Sequence, residues 1–459
     1  MNKASRLSQS IARLGLTALL VMAVHAAPAA ESLTWRKDKD AVDADITSWS
    51  LIKTLETIAE ATGWQVFLEP GTKKKVSTKF KERPRDRALD LLLGNLGRVL
   101  LPGTNGGPSR LLVFRNSEKD ATRLIRSRGK GAKPIPDELI VRMKKGKAVD
   151  DLAKTLGAKV IGKSEVMNSG RLKFESEEAA EKAREALLEN EDVSSVDPNF
   201  PVIAQPTPDG SSGPGGGSLN LQPRKDGDPL IVGLIDTAVQ KLGNNYDAFL
   251  LPAISVAGDA TLPSDHPTHG TSMFETLLNS IAALSPDGST TPVKILPVDV
   301  YGNGGQASTY EVAEGIVQAL KSGARVINLS LGSEGDSPYL HLVIQEGSQA
   351  GAVFVASAGN THTTASMLPA GYQEVNSITA GDSPNSIAPW ANISPENDAM
   401  APGTSRIQFK DANWLVRGTS PAAAYFSGAV AVGIANGQSA AQATASALKA
   451  FPIPRTLPP

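Results

Sequence analysis

Residues 230–236 read Leu-Ile-Val-Gly-Leu-Ile-Asp, an unbroken apolar run that ends in a carboxylate. A strand with one wet face alternates apolar and polar residues, so an unbroken run calls for a strand buried on both faces, as in a parallel sheet covered by helices. The downstream pattern agrees: helix-like 310–321 leads to strand-like 325–329, and helix-like 339–350 leads to strand-like 353–357. Such βαβ alternation builds a parallel sheet and predicts an α/β fold. Open α/β sheets gather their chemistry at the carboxyl ends of their strands. Asp236 stands at one such end and Asn360 just past another.

Composition narrows the chemistry. The chain has 459 residues, 41% hydrophobic and 20% charged, which suits a soluble protein of several domains. Without cysteine there is no disulfide, no thiolate zinc site and no cysteine nucleophile, so nucleophilic catalysis must use another side chain. The net charge of −1 hides an asymmetry: residues 228–459 hold 9 bases against 18 acids, and residues 31–227 hold 34 against 29. No nucleic-acid partner is expected. Residues 1–30 place Lys3, Arg6 and Arg13, without an acid, before the apolar run 14–24 and the small residues 26–30. An apolar core of about 11 residues is too short to span a bilayer, which needs about 20, and the pattern is that of a secretory signal peptide. Export without disulfides points to a secreted or periplasmic bacterial protein.

Two polar stretches, 117–135 and the Gly/Pro/Ser-rich 204–228, read as linkers. They delimit folded blocks at 31–116, 136–203 and 229–459. The first block holds an amphipathic run 49–62, strand-like 65–68, 75–80 and 110–114, and helix-like 85–96, a small α+β module. Its segments ADITSWSLIKTLETIAEATGWQVFLEP and VSTKFKERPRDRALDLLLGNLG resemble the short N-terminal domain that begins secretins and TonB-dependent receptors. That resemblance implies a protein partner in the envelope. The lysines at 73, 74, 75, 79 and 81 read as a solvated face. The second block runs strand 138–143, helix 149–156, strand 159–162, strand 172–176, helix 177–190 and strand 194–200, a ferredoxin-like α+β order.

Four segments of the third block carry reactive side chains: IDTA with Asp236, HPTHGTSM with His269, ASAGN with Asn360, and GTSPAAA with Ser420. Ser420 reads as the mouth of a small-residue helix with Pro421 at its first position, where a missing amide costs little. A hydroxyl at a helix start is by itself more often a cap than a nucleophile. Read together, the four segments resemble the subtilisin family of serine proteases. The separations are 33 residues from Asp236 to His269 and 151 from His269 to Ser420, and the order Asp, His, Ser is the subtilisin order. ILPVDVYGNGG and INLSLG extend the resemblance, and the second block, especially VDPNF, resembles the family's inhibitory propeptide domain.

The resemblance implies a subtilisin-like catalytic domain and a serine endopeptidase acting on polypeptides through an acyl-enzyme, with its own propeptide as partner in cis. It assigns His269 as general base and acid, Asp236 as its orienting carboxylate, Ser420 as nucleophile, and Asn360 with the Ser420 amide as oxyanion donors. Gly304 and Gly305 on one side, and Ser330, Leu331 and Gly332 on the other, would hold substrate as an added strand. Ala356, Ser357, Ala358 and Gly359 would line the principal specificity pocket. Gly270 and Gly418 would allow close backbone approach. Three positions depart from the family pattern: Ala238 where glycine is usual, Pro421 where methionine is usual, and Ala424 where proline is usual. His266 reads as a surface residue. No cofactor or zinc site is expected, and calcium, common in the family, cannot be located from sequence. A protease-like domain that only binds peptides, and an envelope interaction protein, remain the alternatives.

Overall fold

The structure is a computed structural model that describes residues 31–36, 39–103, 108–125, 132–203, 209–210, 219–286, 289–365, 367–410 and 412–454. The expected signal peptide lies outside these residues, as do 126–131, 204–208 and 211–218 of the two expected linkers.

The carboxyl-terminal block is built on an eight-stranded sheet. Its order is Ile254–Ser255, Val293–Asp299, Leu230–Asp236, Ala324–Leu329, Val353–Ser357, Val375–Ser383 and Ser386–Ile387, with Ala399–Pro402 also paired to Val375–Ser383. All pairings are parallel except that of Ser386–Ile387. Leu230–Asp236 is an interior strand, as its unbroken apolar run requires. Alternate side chains leave it in opposite directions. Val232 and Leu234 meet Phe274 and Leu277 of helix His269–Ala283 and Ala423 and Phe426 of helix Thr419–Ala435. Ile235 joins Val312 and Ile316 of helix Thr309–Lys321 and Leu340 and Ile344 of helix Pro338–Gln349. Each fully buried side chain of this kind stabilises the fold by about 1.5–3 kcal/mol, so both layers hold the sheet that carries Asp236.

Residues 138–198 form a four-stranded antiparallel sheet in the order Val193–Pro198, Glu138–Met143, Ser169–Lys173, Lys159–Ser164, with helices Val149–Thr155 and Glu177–Leu188. This is the ferredoxin-like arrangement. The third strand begins three residues earlier than the pattern suggests. Asn168 takes a positive φ of 47° and its side-chain amide donates to the carbonyls of Met143 and Lys144, which closes the turn directly before Ser169.

The first block extends further than composition indicates. Besides a three-stranded sheet it has a four-stranded one, ordered Gly97–Leu101, Arg110–Phe114, Gln65–Leu68, Arg123–Ile125. The last strand falls within the segment read as a linker. The Arg123 guanidinium is buried and donates to the carbonyls of Leu188, Asn190 and Val193 at the end of helix Glu177–Leu188, so a base within the expected linker is a cap. The second expected linker is likewise shorter, because Leu219 and Leu221 are buried in the core of the third block and Gln222–Pro223 pairs with Thr290–Thr291. The lysine face is not simply solvated either. Lys73 and Lys75 reach Glu189 and Glu185 at 3.4 and 4.0 Å, while Ser50 donates to Glu185 at 2.9 Å.

Beneath these exposed pairs, which contribute little, the first and second blocks share one hydrophobic core that includes Leu51, Leu55, Val66, Leu139, Leu187 and Val193. An ion pair between the half-buried Arg184 and the buried Glu56 crosses the same boundary. Residues 31–203 are therefore expected to unfold in urea as one cooperative unit. Arg184→Leu, which takes the cation from the buried Glu56 carboxylate, should cost about 1–3 kcal/mol of that transition. Two separate transitions in the wild-type segment would contradict the shared core.

Candidate active site

Asp236 ends its strand and is 1% exposed. A buried carboxylate must be hydrogen-bonded. The Thr237 amide donates to it at 2.7 Å, and Nδ1 of His269 lies 2.8 and 2.9 Å from its two oxygens. His269 is the first residue of its helix, and Thr268 caps that helix by accepting from the Thr271 amide. The loop before it is pinned by Gln240, which the sequence does not single out. Gln240 Oε1 accepts from the Thr268 amide at 2.8 Å and the Thr271 hydroxyl at 2.9 Å, and its amide nitrogen donates to the carbonyls of Pro263 and His266. A Cβ on Gly270 would stand 2.1 Å from the Thr237 carbonyl oxygen, so the helix meets the strand end at backbone distance. Ala238 has no positive φ, and its carbonyl accepts from the Thr268 hydroxyl. His266 is half-exposed and pairs with Asp265.

Ser420 is the second residue of helix Thr419–Ala435, and Pro421 the third rather than the first. Pro421 still falls in the first turn, where amides have no partner within the helix. Gly418, with φ 154°, turns the chain into this helix. A Cβ there would lie 3.2 Å from Asn360 Nδ2. Asn360 Oδ1 accepts from the Thr419 amide at 2.8 Å and hydroxyl at 3.0 Å, which orients the Asn360 amide nitrogen toward the helix mouth. Thr419 in turn accepts from the Gly359 amide at 3.0 Å. The Ser420 hydroxyl donates to the Ser330 carbonyl at 3.3 Å, and the Ser330 hydroxyl donates to the Ser420 carbonyl at 3.1 Å. Asn328 donates to the Ser330 hydroxyl and accepts from that of Ser427, a buried relay that ties the helix to the strand Ala324–Leu329.

Ala356, Ser357 and Ala358 are buried at the end of strand Val353–Ser357. Asn392, fully buried and silent in the sequence, shapes the turn that follows. It donates to the Ala358 carbonyl at 3.0 Å and accepts from the Thr361 amide at 2.9 Å. Between Gly332 and the strand Gln306–Ser308 lies the chain's own segment Pro201–Ile203. It pairs antiparallel with Gln306–Ser308, and Ile203 bridges Gly332. Gly304 and Gly305 sit just before that paired strand rather than within it.

Two further acids are buried near these elements. Asp299 is paired in register with Asp236. Its Oδ1 accepts from the amides of Tyr301 and Gly302, and Oδ2 has no hydrogen-bond partner among the described residues. Burial, followed by the charge of Asp236, pushes its carboxyl above the usual range. Glu275, on the His269 helix, is 2% exposed, and burial pushes its carboxyl up to about 8 although the Gln408 amide donates to it. Among the described residues no group of three or more His, Cys, Asp or Glu gathers as a metal site would need.

A parallel sheet between helices, with these residues along its carboxyl edge and a ferredoxin-like domain before it, defines the class of the subtilisin-type serine endopeptidases. Comparison with known proteins agrees. The subtilase family matches residues 227–452, and the fervidolysin N-terminal prodomain matches residues 121–199. The chain is 30% identical over 273 residues to the thermostable alkaline protease of Halalkalibacterium halodurans, covering 56% of this chain and 70% of that one. It is 27% identical over 336 residues to the thermophilic serine proteinase of a Bacillus species, covering 69% and 82%. Fervidolysin from Fervidobacterium pennivorans, a keratinolytic enzyme related to subtilisin, shares the fold at a TM-score of 0.52 and 21% identity, with 68% of this chain and 56% of that chain aligned. The protein belongs to the subtilase family and is by class a serine endopeptidase with a prodomain. Among the described residues no helix is long and apolar enough to cross a membrane.

Glu275 supplies a pH test. A carboxyl whose folded pKa is raised from 4.5 to about 8 holds its proton in the native state, so its stabilising effect is complete below about 4.5 and is lost as pH rises toward 8. Within that window stability should fall by about 1.4 kcal/mol per pH unit from this group. Glu275→Gln, which keeps the acceptor for Gln408, should flatten that dependence in thermal unfolding measured from pH 4 to 9. An unchanged slope would show that Glu275 is ionised in the fold.

Proposed function

We propose that the protein is an exported endopeptidase made as a self-inhibited precursor, with Ser420 as nucleophile and Asp236 and His269 as its proton-handling partners. The observation that carries this reading is the chain's own strand Pro201–Ile203, seated between Gln306–Ser308 and Gly332, two residues from the Ser330 whose carbonyl the Ser420 hydroxyl meets. A substrate would be held there by main-chain hydrogen bonds in the same way. In attack the Ser420 hydroxyl leaves the Ser330 carbonyl and passes its proton to Nε2 of His269, while Asp236 keeps Nδ1 protonated and stabilises the imidazolium. The oxyanion that forms is met by the Asn360 side-chain amide and the Ser420 backbone amide.

The docking of residues 136–203 supports inhibition in cis. Asn199 accepts from the Tyr310 amide and the Thr309 hydroxyl, both at 3.1 Å, so it satisfies the amino end of helix Thr309–Lys321. The Thr309 amide donates to the Phe200 carbonyl at 2.9 Å, and Phe200 is buried against Gly335. Arg171 bridges Glu138 of its own domain and Glu311 of the peptidase at 2.8 and 2.9 Å. The charges of the two halves have opposite signs, which favours encounter and weakens with salt. Residues 31–125 belong to the same pro-region through their shared core. Two of its lysines, Lys73 and Lys75, pair with Glu189 and Glu185 of the second block.

The deciding experiment compares secreted wild type with Ser420→Ala and adds folded 31–203 in trans. Ser420→Ala should lose about 10⁶-fold in kcat, the magnitude known for subtilisin itself. The added segment should inhibit processed wild type at micromolar concentration, less so in high salt. Activity in the Ser420→Ala protein, or indifference to the added segment, would refute the corresponding part. Asn360→Leu should fold normally and lose about 10²–10³-fold in kcat with little change in KM, because its amide meets charge present only in the transition state. A change in KM alone would make Asn360 a substrate-binding residue.

A further inference from the structure

Strands Ala324–Leu329 and Val353–Ser357 lie side by side and parallel, and their ladder ends with Leu329 beside Ala356. Beyond it one chain continues through Ser330, Leu331 and Gly332, the other through Ala358 and Gly359. The crevice outside the carboxyl ends of parallel strands is where α/β folds take their ligands. The start of helix Thr419–Ala435 closes one end of this crevice. The Ser330 carbonyl accepts from the Ser420 hydroxyl at 3.3 Å, and the Gly359 amide donates to the Thr419 hydroxyl at 3.0 Å. A side chain that enters between the two chains therefore does so beside the reactive hydroxyl.

Met367, which carries no sequence motif, crosses this space. A Cβ placed on Gly332 would stand 3.3 Å from the Met367 Cε, and one placed on Gly359 would stand 2.8 Å from its Cγ. The methionine thus reaches from one wall to the other, and both walls have glycine where it passes. Asn392, which donates to the Ala358 carbonyl at 3.0 Å, packs against the same face of Gly359.

The backbone that carries Met367 is fixed to one of those walls. Leu368 bridges Ser333, donating to its carbonyl at 2.9 Å and accepting from its amide at 2.7 Å. The Met367 carbonyl accepts from the Gly371 amide at 2.8 Å. Leu368 also packs on the apolar cluster that contains Leu331. Met367 cannot leave by a swing of its loop without breaking these bonds, so its side chain is part of the pocket. A crevice spanned in this way leaves depth for a methyl or hydroxymethyl group. A leucine or phenylalanine side chain would have to push the methionine off both walls, with the cost of an overpacked core.

We infer that Met367 sets the depth of the pocket for the residue before the cut bond, and that it makes the enzyme selective for polypeptides with alanine, serine or glycine at that place. This deepens the reading of Ser420 as nucleophile and of residues 330–332 and 356–359 as substrate-binding, and rests on it.

The test gives secreted, processed enzyme three peptides that differ only in having alanine, leucine or phenylalanine before the cut bond, with the cut located by mass. The readout is the ratio of kcat/KM for phenylalanine to that for alanine, which does not depend on how much of a variant has folded. Wild type should favour alanine at least about 10-fold. Met367→Ala should raise the ratio about 10- to 10²-fold, the range that burial of a large apolar side chain supplies. Met367→Leu, which refills the space, should keep the ratio low. A wild type that prefers phenylalanine or leucine would overturn the inference, and so would a ratio that Met367→Ala leaves unchanged, while the peptidase reading stands in both cases. An equal rise in Met367→Leu would also overturn it, since the effect would not follow the filled volume. If wild type is as inert as Ser420→Ala toward all three peptides, the peptidase reading falls and takes the inference with it.

Discussion

A carboxylate placed at the end of a strand buried on both faces cannot be left to water, and the site is organised around satisfying Asp236. Its oxygens are taken by the Thr237 amide and by His269. The histidine must therefore start a helix close to the strand end, which the Gln240 bonds and the absence of a side chain on Gly270 permit. Burial, and after it the Asp236 charge, raises the carboxyl of the neighbouring acid Asp299 above its usual range.

The second layer of organisation is the helix that begins with Thr419 and Ser420. It runs through the middle of the block, buried almost all round, and its small residues Ala422, Ala423 and Ala424 let it lie against the sheet. Helix starts expose amides, so the end that carries Ser420 also offers a donor. The Thr419–Asn360 bonds and the Asn328–Ser330 relay bring two strand ends to that helix start. The pro-region uses the same device at the helix Thr309–Lys321, where Asn199 and Phe200 dock on another exposed start.

The parts legible in the sequence are those whose chemistry is local. The run 230–235 could only be a strand covered on both faces, and the motifs around Asp236, His269, Asn360 and Ser420 stand at the ends of the elements that their flanking patterns define. Less legible were residues whose meaning depends on a distant partner. Arg123 reads as a linker base until three carbonyls from another domain surround it. Asn392 and Gln240 sit in loops with no pattern of their own, yet each orders a turn beside the site through several hydrogen bonds. Lys73 and Lys75 meet acids more than a hundred residues away, a pairing that periodicity does not encode.

The core shared by residues 31–125 and 136–203 bears on how long the enzyme remains silent. A pro-region made of one small domain could be loosened and digested piecemeal once its tether was cut. On the proposed reading, a severed pro-region would leave as one body, its two parts joined by a shared apolar core. Proteolysis of a folded protein proceeds through its open forms. On that reading the lifetime of a released pro-region would be set by the stability of this shared core, which would make it a timer for the enzyme's activity.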